Sequence, residues 1–272
     1  MIRLQKLLAE AGLASRRTVE EWIRAGRLTI GARTARLGDR ATAEDEIRLD
    51  GQPLALATSG ATPAEVLLYY KPVGEVTTRS DPEGRPTVFD RLPPPAAGRW
   101  ISVGRLDVNT SGLLLLTTDG GLAHRLMHPS GEVAREYRVR VRGRPSAPVL
   151  ERLRAGLTLE DGPARFDAVQ PVAGTEREGS HSSFLVSLRE GRNREVRRLW
   201  EAAGFTVSRL LRVRYGPIEL PPDLRPGGWR RLGAHELALL RAAAQPQEPG
   251  AGRREGPTGR PARRRGGPSA SK

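Results

Sequence analysis

Apolar residues recur at helical spacing at the start of the chain: Leu4, Leu7, Leu8 and Ala11 share one face of a helix expected over 3–11, which Gly12 ends. Ser15 then stands as the N-cap of a second helix that buries Val19, Trp22 and Ile23 and closes at Gly26. Short strands are expected at Leu28–Ile30 and 46–49, with turns at Gly31 and Gly51, and residues 55–64 carry no periodicity and read as a linker. A β-rich run over 66–70 follows, and its strand ends at Lys71 because Pro72 has no N–H for a sheet ladder. The most apolar stretch, 113–116, is far too short to span a membrane, and Asn109, Thr110, Ser111 and Gly112 before it and Asp119, Gly120 and Gly121 after it punctuate it as a strand between turns. A short helix carrying Leu122, Ala123, Leu126 and Met127 follows.

The second half continues in the same manner. Residues 135–141 alternate, with Tyr137, Val139 and Val141 on one side and Arg138, Arg140 and Arg142 on the other. A helix over 148–155, strands near 165–171 and 184–188, and another strand at Val207–Tyr215 are expected. Between the last two lies EGRNREVRRLWEAAGF, in which Asn193 is the expected cap of a helix burying Val196, Leu199, Trp200 and Ala203 and ended by Gly204. A final helix over 233–243 closes the pattern. The remainder is Pro, Gly and Arg with too few apolar residues to pack, so 243–272 is expected to be a disordered basic tail. The pattern divides the chain at 1–58, 65–242 and 243–272.

A chain of 272 residues with 38% apolar content suits one sizeable domain and a small one. With no span-length apolar run and no signal-like start, it reads as cytoplasmic, with no membrane partner. It has no cysteine, which excludes disulfides, thiol catalysis and thiolate metal sites. Four histidines, His124, His128, His181 and His235, show no zinc-like spacing, so neither a metal nor a cofactor is expected. The formal charge of +14 points to a polyanionic partner. The tail supplies only part of it, so the body is basic too.

Several arginines stand where helices disfavour them. Arg16 and Arg17 fall in the first turn of the second helix, where the positive end of the dipole costs a cation some tenths of a kcal/mol. A phosphate would draw on both guanidinium groups and on the free backbone N–H groups at one spot. Arg192, Arg194, Arg197 and Arg198 crowd the start of the later helix in the same way. The segment 77–99, with Arg79, Arg85, Arg91 and five prolines, is long enough to be functional in its own right and is a candidate RNA clamp. Asp107 lies six residues ahead of the apolar 113–116 strand, with Arg105 two residues before it. By spacing alone such an acid usually serves a turn.

The stretch GRLDVNTSGLLLLTTDG resembles the active-site motif of the pseudouridine synthases that carry an S4 domain and modify ribosomal RNA. The resemblance makes Asp107 the catalytic nucleophile. The SRRTVEEWIRAGRLTIG stretch resembles the S4 RNA-binding module, with Arg16, Arg17 and Arg27 at its basic positions, and KPVG resembles a first, structural motif of the synthases. It also implies that Tyr137, in REY, packs against the target base and that Leu211 lines the pocket. Aligning REVR with the family's pattern gives Arg197 the role of the cation paired with the nucleophile, with Arg194 next; the family's His and Gln are replaced by Arg194 and Glu195 here. Arg105, Arg192, Arg194 and Arg198 complete the expected RNA contacts.

The fold so implied is α+β: a small S4 domain, a helix pair plus a small sheet, joined to a catalytic domain on a mixed, largely antiparallel sheet. The reaction isomerises uridine to pseudouridine without a cofactor. Attack at C6 of the base, attack at C1′ of the sugar and elimination to a glycal would all use the same carboxylate, and the residues do not choose among them. Within the branch the motifs are nearest to those acting on 23S rRNA, with 16S enzymes next, and a non-catalytic S4-type assembly factor is the competing reading. The partner is rRNA, free or in a pre-ribosomal particle, and a monomer is expected.

Overall fold

The computed structural model describes residues 1–56, 64–172 and 180–245. The expected linker therefore lies largely outside the described residues, as does the tail from 246 onward. Two helices, α1 (Leu4–Glu10) and α2 (Arg16–Arg24), pack on a four-stranded sheet ordered Arg33–Thr34, Leu28–Ile30, Ile47–Leu49, Gln52–Pro53. Leu4, Leu8, Val19, Ile23, Leu28 and Ile47 form the core of this small unit. Ser15 caps α2 as expected, its hydroxyl accepting from Thr18 N at 3.0 Å.

The larger unit is built on a nine-stranded sheet. Its main path runs Ala168–Pro171, His181–Leu188, Arg135–Arg142, Val207–Tyr215, Ser111–Thr117, Val66–Lys71, Trp229–Arg231, with Ile218–Glu219 and Ile101–Val103 alongside. Every pairing of these strands is antiparallel except Ser111–Thr117 on Val207–Tyr215. Ser111–Thr117 is buried from end to end and lies between neighbours on both sides, so its apolar run is a central strand covered on both faces. One face carries a core of Leu67, Tyr69, Leu114, Leu116, Val139 and Trp200. The other carries Leu68, Leu113, Leu115, Leu126, Tyr215 and Leu240. Helices α3 (Gly120–Met127), α4 (Ala147–Ala155), α5 (Glu195–Ala202) and α6 (Ala234–Ala243) supply apolar residues to these two cores.

The one parallel seam depends on a glycine. Gly112 has φ +110°, and a Cβ there would lie 2.2 Å from the Arg212 carbonyl oxygen. Only a residue without a side chain lets the two backbones close at this point. The Arg135–Arg142 strand alternates as its sequence predicts, with Tyr137, Val139 and Val141 buried and Arg138 and Arg142 exposed.

The expected cap of α5 is wrong. Arg194, not Asn193, is the N-cap, held in a left-handed conformation at φ +49°. The reason is Glu195, whose buried carboxylate turns back to accept from Arg192 N at 3.1 Å while its own N–H donates to Arg192 O at 3.3 Å, which folds 192–195 into a tight turn and leaves Asn193 ahead of the helix. Burial raises the Glu195 pKa, against which the Arg192 contacts pull downward. The segment 77–99 is held by its own side chains. Thr87 and Asp90 exchange side-chain and backbone hydrogen bonds, Arg85 pairs with Asp81, and the Trp100 indole donates to Pro93 O.

Candidate active site

Asp107 is half-buried in a turn that leads from the Ile101–Val103 strand into Ser111–Thr117. Its backbone carbonyl accepts from Thr110 N at 3.0 Å, which closes the turn and leaves the carboxylate out of that bond. Two cations far apart in the sequence, Lys71 and Arg197, fix the turn. Lys71, 0% exposed at the end of Val66–Lys71, donates from Nζ to the carbonyls of Asp107 (3.0 Å), Thr110 (2.9 Å) and Pro72 (2.9 Å). Three acceptors match the three protons of an ammonium. Burial lowers the Lys71 pKa from 10.5 to about 8, opposed by the negative charges of Glu75 and Asp107.

Arg197 comes from the first turn of α5. Its guanidinium donates to Asn109 O at 2.8 Å and Val207 O at 3.2 Å. It therefore ties the Asp107 turn to the Val207–Tyr215 strand through backbone carbonyls. No ion pair within 4.0 Å joins it to Asp107 among the described residues, so the direct carboxylate contact expected from sequence is not formed. The two still feel one another: burial and the neighbouring Arg194 lower the Arg197 pKa, while Asp107 raises it. Arg197 Nε and Thr110 Oγ1 are both buried without a protein partner among the described residues.

Tyr137 reaches the same region through strand register. Lys71 pairs with Gly112, Gly112 with Arg212, and Arg212 with Tyr137, a single row crossing four strands. At about 4.8 Å per strand, the Tyr137 backbone stands roughly 10 Å from Gly112 across the sheet. Tyr137 is buried, 8% exposed. Leu211 is half-buried and pairs with Ser111 and Arg138. Arg212, which sequence reasoning passed over, is buried in the row, donating Nε to Leu113 O at 2.7 Å with its guanidinium 5.1 Å from the Tyr215 ring.

The remaining basic residues divide into committed and free. Arg27 is paired with Asp50 through two nitrogens. Arg198 makes two 2.8 Å bonds to Asp161, whose carboxylate pKa is lowered mainly by that contact. Arg192 is held by Asp161, Glu190 and Glu195. Arg194 lies 3.9 Å from Glu201. By contrast Arg16 and Arg105 are exposed with no ion pair among the described residues, and the Arg17 side chain is 90% exposed, loosely paired with Glu21 at 3.6 Å. His124 and His128 meet edge-on at 5.5 Å, with no third ligand-type residue grouped around them among the described residues.

The half-buried Asp107 thus sits on a turn held by Lys71 and Arg197, with Tyr137 two strands away on a largely antiparallel sheet, and the exposed Arg16 and Arg17 open the second helix of the smaller unit. Residues 65–202 match the family described as RNA pseudouridylate synthase, and residues 2–47 match the S4 domain. The chain belongs to the pseudouridine synthase family, as its motifs imply. It is 55% identical over 241 residues to ribosomal large subunit pseudouridine synthase B of Yersinia pestis, covering 88% of this chain and 75% of that one. The protein of the same description from Escherichia coli (strain K12) is also 55% identical, with 88% and 82% covered. A solved pseudouridylate synthase structure superposes with a TM-score of 0.62 at 28% identity, covering 88% of this chain and all of that one.

Proposed function

We propose that the protein isomerises a uridine of 23S rRNA to pseudouridine, with Asp107 as the nucleophile. The observation that carries the reading is the clamp on the Asp107 turn: two cations spend their hydrogen bonds on its backbone, which fixes the carboxylate's position without occupying its oxygens. Holding a nucleophile in register with its target is worth several kcal/mol of barrier. The reaction breaks the N-glycosidic bond, turns the base and rejoins it through carbon, so one fixed carboxylate can serve both halves. Tyr137 and Leu211 supply the wall for the base. Lys71 and Arg197 hold the backbone of the turn that carries this carboxylate.

The target uridine must leave its stack, at a cost of a few kcal/mol that is lower in a loop, and phosphate contacts on either side can offset it. Arg105, two residues from Asp107, and Arg16 and Arg17 on α2 are exposed cations that would serve this. The large-subunit target is supported by the names of the relatives that match along most of this chain. A monomer working in the cytoplasm on rRNA completes the proposal.

Mapping pseudouridines in both rRNAs with and without the protein tests it. A pseudouridine should disappear from 23S rRNA alone; disappearance from 16S rRNA only would overturn the target. A second expectation concerns the S4 helix. Replacing Arg16 and Arg17 together with Ala should weaken RNA binding and flatten its salt dependence, by roughly 0.7 to 0.9 in logarithmic slope for each phosphate the protein no longer neutralises. An unchanged slope would remove the pair from the interface.

A further inference from the structure

A cleft of about 210 Å³ opens beside the active-site turn, lined by Thr77, Thr78, Arg79, Phe89, Arg99 and Ser102 among others. Its two arginines differ from the rest of their loop. Arg85 has Asp81 and Glu83 within 2.9 Å, and Arg91 approaches Glu75 at 4.0 Å. Arg79 and Arg99 have no carboxylate within 4.0 Å among the described residues. Arg79 stacks on Phe89 at 4.5 Å and donates to Trp100 O, and Arg99 Nε is buried with no partner among the described residues. Burial lowers the pKa of both, and the charge of Arg79 lowers that of Arg99 further. A guanidinium does not escape such a position by giving up its proton near neutral pH. Two partly desolvated like charges facing one cleft are a standing cost, and an anion placed between them would relieve it.

The position of the cleft says which anion. Thr77 Oγ1 bonds both the carbonyl of Leu106, at 2.9 Å, and its N–H, at 3.3 Å, so one wall is fixed to the residue next to Asp107. On the other side, Gly98 precedes Arg99 and touches the turn between α1 and α2. A Cβ on Gly12 would sit 2.5 Å from Gly98 Cα, which brings the S4 helix pair against this loop. The cleft thus adjoins the turn that presents Asp107, in a loop that the turn between α1 and α2 meets at Gly12. We propose that it binds a phosphodiester of the RNA substrate, on the strand that runs from the S4 helices to the target uridine. Thr77, Thr78 and Ser102 offer hydroxyls to the same group. The proposal rests on the reading of the protein as an rRNA pseudouridine synthase and adds a residue pair that its motifs do not contain.

The test uses the full-length protein with an unmodified 23S rRNA transcript. Arg99→Gln removes one charge, and Thr78→Glu leaves both arginines but fills the cleft with a carboxylate. Each should reduce the logarithmic salt slope of binding by about 0.7 to 0.9 and raise KM several-fold. The single-turnover rate at saturating RNA should stay within about twofold, with Arg99→Lys restoring most of the slope. Unchanged slopes and KM in both Arg99→Gln and Thr78→Glu would overturn the proposal. So would thermal stabilisation of the wild type by inorganic phosphate, lost in Arg99→Gln, with identical RNA slopes, since the cleft would then serve a free anion. Failure of the broader reading is separate: the wild type itself would make no pseudouridine, whatever the variants bind.

Discussion

Asp107→Asn should abolish pseudouridine formation while leaving the fold and RNA binding in place. The substitution is nearly isosteric, and the bonds that shape the turn run to the Asp107 carbonyl, from Lys71 Nζ and Thr110 N, each at 3.0 Å. An amide side chain leaves both intact. It removes only the anionic nucleophile, and losing such a group costs an enzyme on the order of 10⁴-fold or more in rate. Single-turnover conversion of unmodified 23S rRNA should fall to background, with the midpoint of thermal unfolding within a few degrees of wild type and the affinity for RNA within about threefold. A variant that still converts uridine within tenfold of the wild-type rate would take the nucleophile's role away from Asp107. A variant that unfolds would show instead that the carboxylate is structural.

The parts of this site that were legible in the sequence are those written in local pattern. The strand Ser111–Thr117 announces itself by an unbroken apolar run between turns, and the alternation at Arg135–Arg142 places Tyr137 on the buried side. Asp107 stands out by its motif. Three-residue strands such as Ile101–Val103 and Trp229–Arg231 carry too little pattern to read, because their pairing is decided by neighbours far along the chain. Lys71 was visible as a strand end, but its acceptors include carbonyls 36 and 39 residues away, and carbonyls leave no trace in a sequence.

Charge was the least legible property. Counting arginines suggests a broad basic face, yet Arg27, Arg192 and Arg198 are bound to Asp50 and Asp161, whereas Arg79 and Arg99 have no acidic partner among the described residues. Arg197 shows why the distinction matters. Its motif position suggests a partner carboxylate, while the fold uses its donors on Asn109 O and Val207 O and leaves its charge to act at a distance. A cation that positions a turn constrains the nucleophile without competing for its lone pairs.

The alkaline limit of the reaction should be set by Lys71, at about pH 8. Below that value the ammonium supplies three protons to the carbonyls of Pro72, Asp107 and Thr110; above it the neutral amine has two N–H groups for the same three acceptors. Loss of a bond on the Asp107 turn loosens the nucleophile, so the single-turnover rate should decline through about pH 8. Stability should move the other way. The folded-state pKa, about 8, is depressed below the unfolded value of 10.5, so between them the unfolded chain binds the extra proton and the Lys71 contribution to stability rises with pH. Activity falling while stability does not is a signature that general unfolding cannot produce. Lys71→Met, which keeps the bulk and removes every donor, should lower the rate about 100-fold at neutral pH, the size expected when a reacting group is displaced by about 1 Å. It strands the carbonyl of Thr110, at about 1–3 kcal/mol, while the Asp107 carbonyl keeps its bond from Thr110 N, and the cost is partly offset because no ammonium is then buried. What remains of its activity should show no decline near pH 8, and if that limb persists in Lys71→Met, some other group is the one that titrates.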